Sequence, residues 1–171
     1  MIHLITGGAG SGKSAYAEQK ILELGEGRRI YVATMFPGVD PENSQRIQRH
    51  RDRRAPMNFE TIECPTNLSA AVIPENSNIL LEDVGNLVAN EMFLPDASGI
   101  HAVNSVLDGF NYLMDIAANL IIVTNEINSD GVDYDNATRV FQQFMGLVNQ
   151  ELGELADKVT EVVYGIPLTV K

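Results

Sequence analysis

Apolar positions along this chain fall into two kinds of pattern. Ile79-Leu80-Leu81 and Leu120-Ile121-Ile122-Val123 are unbroken apolar runs, the signature of strands buried on both faces rather than on one. Strands are expected there, over Asn78–Leu81 and Asn119–Thr124, and also at Ile2-His3-Leu4-Ile5, Arg29–Ala33, Phe59–Ile62 and Val159–Val163. The segments between them carry helical spacing. Helices are expected over Ser14–Leu24, with Ala15, Ala17, Ile21 and Leu22 as its apolar positions, and over Pro41–Arg53, Val84–Phe93, His101–Ala118 and Asn136–Leu155. Strand and helix in alternation predict an α/β layer fold with a mainly parallel sheet flanked by helices. Ligands in such sheets bind at the carboxyl ends of the strands. Gly, Pro, Asn and Asp mark loops at Met35–Asp40, Pro95–Gly99 and Asn128–Asp135, which read as lids or as plain connections. With no repeat, low-complexity tract or linker in its 171 residues, the chain is expected to form a single domain over 1–171.

One segment identifies the ligand class. Gly7-Gly8-Ala9-Gly10-Ser11-Gly12-Lys13-Ser14 spells G-x-x-x-x-G-K-[ST] in full, between the first strand and the first helix. Strand, glycine loop and helix are the setting of a P-loop. Glycines let successive backbone N–H groups converge on phosphate oxygens, and the helix N-terminus adds its partial positive charge. Lys13 is expected to reach the β- and γ-phosphates of a nucleoside triphosphate, and Ser14 to hold Mg²⁺. The motif does not name the reaction.

Composition narrows the partners. A net charge of −11 argues against nucleic acid. The twelve Lys and Arg are unevenly spread, however: Arg46, Arg49, Arg51, Arg53 and Arg54 crowd around His50. An acidic chain that concentrates its cations in one place is expected to hold an anion there; the bland alternative is a solvated helix face. No stretch is long and apolar enough to span a membrane, the N-terminus has no basic leader, and the only cysteine is Cys64. A cytoplasmic, reducing setting is expected, with Cys64 a packed thiol rather than a nucleophile.

Other candidates sit at strand ends or on the Arg-rich segment. Glu82 follows the run that ends at Leu81, where a P-loop enzyme places the carboxylate that orients Mg²⁺. Asp83 is the neighbouring alternative, and a helix N-terminal carboxylate is the structural one. Glu126 ends Val123-Thr124-Asn125-Glu126 and reads equally as a positioning carboxylate or a loop cap. In a helix over Pro41–Arg53, Arg46, His50 and Arg53 share one face. Neighbouring guanidiniums disfavour imidazole protonation, and a neutral imidazole is a nucleophile. A surface histidine in a basic helix fits the same residues. His3 reads as structural and His101 as exposed near a helix start.

Nearly end to end, the chain resembles the bifunctional adenosylcobinamide kinase/adenosylcobinamide-phosphate guanylyltransferase family of cobalamin biosynthesis. The resemblance rests on Ile5-Thr6-Gly7-Gly8 with Ser11-Gly12-Lys13-Ser14 and Ala17-Glu18, on Tyr31-Val32-Ala33-Thr34, and on Arg46-Ile47-x-x-His50-Arg51. It continues through Thr61-Ile62-Glu63, Ile79-Leu80-Leu81-Glu82 with Asn90, and Val123-Thr124-Asn125-Glu126. In the last third it takes in Arg139 with Phe141, Gly146-x-Val148-Asn149-Gln150, Gly165-Ile166-Pro167-Leu168 and Lys171. The family pattern differs at Gly85, where it has Thr, and at Gln142-Gln143, where it has Arg-Asp. The resemblance implies a RecA-like P-loop NTPase subunit that assembles as a homo-trimer. It implies phosphorylation of adenosylcobinamide by ATP or GTP with Mg²⁺, then transfer of GMP from GTP to adenosylcobinamide phosphate through a guanylyl-histidine at His50. It places nucleotide contacts at the P-loop, at Ala33, Thr34 and Met35, at Arg51, Asp52, Arg53 and Arg54, and at Glu63 and Glu82. From the residues alone, a plain P-loop small-molecule kinase, or a nucleotide-binding regulator without catalysis, remains a different reading of the same chain.

Overall fold

The computed structural model describes residues 1–36, 48, 55–127, 132 and 134–171. Seven strands form one sheet: β1 Ile2–Thr6, β2 Arg29–Ala33, β3 Glu60–Glu63, β4 Ser77–Glu82, β5 Ala117–Val123, β6 Lys158–Val163 and β7 Ile166–Thr169. Their order is β3-β2-β4-β5-β1-β6-β7. All pairings are parallel except β6 with β7. The described helices are α1 Lys13–Glu23, α2 Val84–Phe93, α3 Ala102–Ile116 and α4 Asn136–Leu155.

Period-2 alternation along the strands divides the apolar side chains between two cores. On one face Leu4, Ile79, Leu81, Leu120 and Ile122 pack against Leu87 and Val88 of α2, Phe110 and Leu113 of α3, and Met145, Val148 and Leu152 of α4. On the other, Ile5, Leu80, Ile121 and Val123 pack against Ala17 and Ile21 of α1. Both faces are covered, and the central strands are accordingly apolar without interruption.

Within α1 the buried positions are Lys13, Ala17, Glu18 and Ile21. Ala15 and Leu22, expected to face inward, are exposed. At 3.6 residues per turn they project from the side opposite Ala17 and Ile21. The helices over Val84–Phe93 and Asn136–Leu155 have the expected bounds, whereas α3 stops at Ile116 because Ala117 opens β5 directly. The expected helix over Pro41–Arg53 lies outside the described residues apart from Gln48, as do parts of the loops at Met35–Asp40 and Asn128–Asp135.

Sequence reasoning missed β7. Tyr164 and Gly165 form a two-residue connection with φ of 51° and 78°. Positive φ at both positions is the type I′ pattern, whose twist suits a tight antiparallel hairpin. Pro167 and the exposure of every β7 side chain disguised the strand as a tail.

Candidate functional site

The register of the sheet explains why the candidate residues converge. Ala33 of β2 pairs with Glu63 of β3 on one side and with Glu82 of β4 on the other. Glu82 pairs with Val123, and Val123 with Ile5, just before the glycine loop. Ala33, Glu63, Glu82 and the P-loop therefore share the carboxyl edge of the sheet.

The loop is built for close approach. Gly7 has φ of 151°, and a Cβ there would lie 2.5 Å from the Val162 carbonyl oxygen. Gly12, with φ of 94°, begins α1 without any side-chain cap, so the first-turn N–H groups are available to an anion. The N-termini of α2 and α4 differ: there Asp83 and Asp135 accept from Asn86 N–H and Thr138 N–H. Gly8, Ala9 and Gly10 are exposed, and Ser11 Oγ is buried with no partner among the described residues. The β6–β7 hairpin braces the other end of the loop, with Gly165 N–H donating to Ser11 O at 2.8 Å. Sequence reading did not find this brace; the Tyr164-Gly165 turn was its only local signal.

Lys13 is buried and donates to Gly8 O at 3.1 Å. Burial lowers its pKa, while the Asp83 and Glu82 carboxylates oppose the shift. The Ser14 hydroxyl donates to Glu82 Oε1, and the Tyr31 hydroxyl donates to Oε2 at 2.9 Å. Tyr31 in turn meets Phe59 edge-on at 5.9 Å between centroids. Tyr31 is a site residue to which sequence reading gave no role beyond a strand and the family-like segment Tyr31-Val32-Ala33-Thr34; alternation along β2 puts it on the α1 side of the sheet, where Glu82 is also reached.

Glu82 and Asp83, adjacent in sequence, do different work. Glu82 faces Ser14, whereas Asp83 caps α2 at 2.7 Å. Burial raises the Asp83 pKa, against the hydrogen bond from Asn86 N–H. Thr34, fully buried, accepts from Asp83 N–H and donates to Asp83 O, each at 2.7 Å. Asn90 donates to Thr34 O at 2.8 Å and to Pro65 O at 3.0 Å, tying the ends of β2 and β3 to α2. Met35 is half-buried beside Thr34, and Glu63 is exposed. A Cβ at Gly85 would fall 2.8 Å from Asn125 Nδ2. The hydroxyl of Ser14 and the carboxylate of Glu82 form a hard oxygen donor pair of the kind Mg²⁺ accepts beside phosphates. Among the described residues, no group of three or more His, Cys, Asp or Glu could hold a metal by itself.

His50, Arg51, Asp52, Arg53 and Arg54 lie outside the described residues, together with Arg46 and Arg49. The other histidines are as expected: His3 is buried against Thr160 Oγ1 at 2.8 Å, and His101 is exposed at the N-terminus of α3. Cys64 is buried, donates to Thr66 O at 3.3 Å, and has its pKa pushed up to about 11 by burial and by Glu91. It is a packed thiol. Among the described residues, no helix is long and apolar enough to cross a membrane.

Comparison with known proteins agrees with this architecture. A solved ATPase domain superposes with a TM-score of 0.53 over 94% of this chain and 68% of its own, at 11% identity, a likeness of fold alone. The sheet order and the glycine loop after β1 make the fold a RecA-like P-loop fold. The family model described as cobinamide kinase / cobinamide phosphate guanyltransferase matches residues 3–170. The bifunctional adenosylcobalamin biosynthesis protein CobU of Salmonella typhimurium is 34% identical over the full length of both chains. Its namesake in Escherichia coli is 33% identical, again over the whole of both, and CobP of Pseudomonas aeruginosa is 32% identical over all of this chain and 98% of its own. This chain belongs to the cobinamide kinase / cobinamide phosphate guanyltransferase family.

Proposed function

We propose that this protein is a bifunctional enzyme of cobalamin biosynthesis that phosphorylates adenosylcobinamide and then converts the phosphate to adenosylcobinamide-GDP. The observation that carries the reading is the joining of a complete P-loop to Glu82 through Ser14, in a chain that matches the family over residues 3–170. In the kinase step the aminopropanol hydroxyl oxygen attacks the γ-phosphorus of ATP or GTP, and the bond to the β-phosphate oxygen breaks. Gly7, Gly8, Ala9, Gly10, Ser11 and Gly12 cradle the phosphates, and Lys13 stabilises the charge on the transferred group. Ser14 and Glu82 hold Mg²⁺, which neutralises phosphate charge when bound. In the second step the neutral His50 imidazole attacks the α-phosphorus of GTP and pyrophosphate leaves. A cobinamide phosphate oxygen then attacks the same phosphorus, and the imidazole is released. Arg51, Asp52, Arg53 and Arg54, with Ala33, Thr34, Met35 and Glu63, complete the nucleotide contacts. The partners are small molecules: adenosylcobinamide, its phosphate and GTP. Cytoplasmic location and assembly as a homo-trimer belong to the same reading; what supports them is the family resemblance and the lack, among the described residues, of a membrane-crossing helix.

The test is incubation with α-labelled GTP and Mg²⁺, followed by denaturing electrophoresis. The protein should take up label in an acid-labile, base-stable bond, the signature of a phosphoramidate. His50→Ala should abolish both the labelling and guanylyl transfer while retaining phosphorylation of cobinamide, which uses no covalent histidine. Label that survives in the variant would place the nucleophile elsewhere.

A further inference from the structure

A cavity adjoins the P-loop at Ala9. It is an open cleft of about 450 Å³ between the loop, the end of β5 and the first half of α4. Ala9 of the P-loop forms one wall, Glu126 and Ile127 another, and Tyr134, Thr138, Phe141 and Gln142 the rest. Because β5 lies between β4 and β1, the carboxylate of Glu126 and that of Glu82 approach the loop from different strands. A group resting against Ala9 sits next to phosphates held by the glycine loop.

Glu126 is held in place through its backbone. Its N–H donates to Gly7 O at 3.3 Å. Just before it, Thr124 Oγ1 donates to Asn149 Oδ1 at 2.6 Å, and Asn149 Nδ2 donates to Asn125 O at 3.2 Å. The end of β5 is thus fastened to the P-loop on one side and to α4 on the other. The lining chemistry selects the occupant. Among the described residues no Lys or Arg lines the cavity, and the residues that do are unlike a phosphate site. It offers two aromatic rings, a hydroxyl and an amide around one carboxylate, which suits an uncharged organic arm bearing a hydroxyl. Its volume fits a side arm rather than a macrocycle.

We infer that this cavity is the acceptor-alcohol site and that Glu126 is the base of the kinase step, an inference that rests on the proposed kinase activity. The hydroxyl-bearing arm of the acceptor enters between Tyr134 and Phe141. Its oxygen attacks the γ-phosphorus, its proton passes to the Glu126 carboxylate, and the bond from the γ-phosphorus to the bridging oxygen breaks, with the electron pair leaving on the nucleoside diphosphate. The macrocycle remains outside the cavity.

Two variants test this with adenosylcobinamide and ATP. Glu126→Gln keeps the side-chain shape and the backbone bond to Gly7; it should lower kcat for phosphorylation by roughly 10²- to 10⁴-fold, the range for loss of a general base. Its Kd for a fluorescent nucleotide analogue should stay within about threefold of wild type, a control for an intact P-loop. Thr138→Phe fills the cavity while retaining the backbone N–H that Asp135 accepts; it should raise KM for adenosylcobinamide at least about tenfold and leave nucleotide Kd unchanged. A Glu126→Gln enzyme with wild-type kcat, or a Thr138→Phe enzyme with wild-type KM, overturns the inference while the kinase reading stands. Should Glu126→Gln fail to fold, the Thr138→Phe KM decides. A wild-type protein that phosphorylates no adenosylcobinamide overturns the proposed function, and this inference with it.

Discussion

Glu82 and Asp83 are adjacent carboxylates with different partners, the Ser14 hydroxyl for one and the Asn86 N–H for the other. Sequence locates an acid at the end of a buried strand and favours Glu82, with Asp83 beside it as the alternative. Backbone alternation separates them: one side chain turns toward Ser14, the other toward the N-terminus of α2. Glu82→Gln should therefore cut Mg²⁺-dependent phosphorylation by at least about tenfold with little change in unfolding midpoint, because shape is kept and charge is lost. Asp83→Asn should change activity much less, since Asn is as good a helix N-cap as Asp. Initial rates against Mg²⁺ concentration check the order, and a larger loss at Asp83 would reverse the two roles. His3 carries a pH prediction. Burial, with Lys158 and Lys20 nearby, lowers its pKa from 6.5 to about 4. The unfolded chain therefore takes up this proton at a higher pH than the folded one. Stability should fall as pH drops from 6.5 toward 4, by at most about 1.4 kcal/mol per pH unit from this group, and the contribution should be flat above 6.5. His3→Gln, which can still bond Thr160, should lose that part of the slope in urea titrations at several pH values. Equal slopes in both proteins would show that the ring stays as basic in the fold as in the unfolded chain.

At the scale of elements, long periodic segments were legible and edges were not. The spans Val84–Phe93 and Asn136–Leu155 could be read because an apolar stripe and a flanking Asp cap point to the same bounds. The β7 strand was hidden because it buries nothing, so no apolar pattern betrays it. The burial of Glu18 in α1 was hidden because a charged residue in a helix reads as solvent-facing. Helix glycines make a sharper case, since sequence cannot tell a tolerated glycine from a required one. A Cβ on Gly109 of α3 would lie 2.6 Å from Leu68 Cβ, whereas one on Gly153 of α4 would meet nothing within 4 Å. Gly153→Ala should stabilise by about 0.5–1 kcal/mol through helix propensity. Gly109→Ala should destabilise by about 1–3 kcal/mol, because overpacking against the segment around Leu68 outweighs the same propensity gain. Chemical denaturation of both variants tests the pair, and stabilisation by both would mean that α3 and Leu68 can separate at little cost.

For the molecule as a whole, sequence identified the fold class because each apolar run requires cover on both faces, and only helices on either side of a parallel sheet supply it. Quaternary structure has no such local signature. The sheet nevertheless ends in a feature that bears on it. β7 is an edge strand with one side unpaired, and Ile166 and Leu168, together with Val170 beyond it, are 61%, 47% and 65% exposed. Their spacing of two puts all three on one face of the extended chain. Natural edges are usually blunted by charge or by cover, and here Pro167 is the only blunting residue within the strand. An apolar edge of this kind favours contact with another copy, and closed symmetric contact between identical chains is the ordinary way to satisfy it. The proposed trimer then requires a mass of about 56 kDa, three times the 18.7 kDa chain, in multi-angle light scattering across micromolar concentrations. Leu168→Lys should shift that mass toward the single chain if β7 contributes to the contact, since a charge facing a desolvated apolar surface is strongly disfavoured. A wild-type mass of 18.7 kDa throughout would refute the trimer. A trimer that persists in Leu168→Lys would place the contact on another face of the subunit.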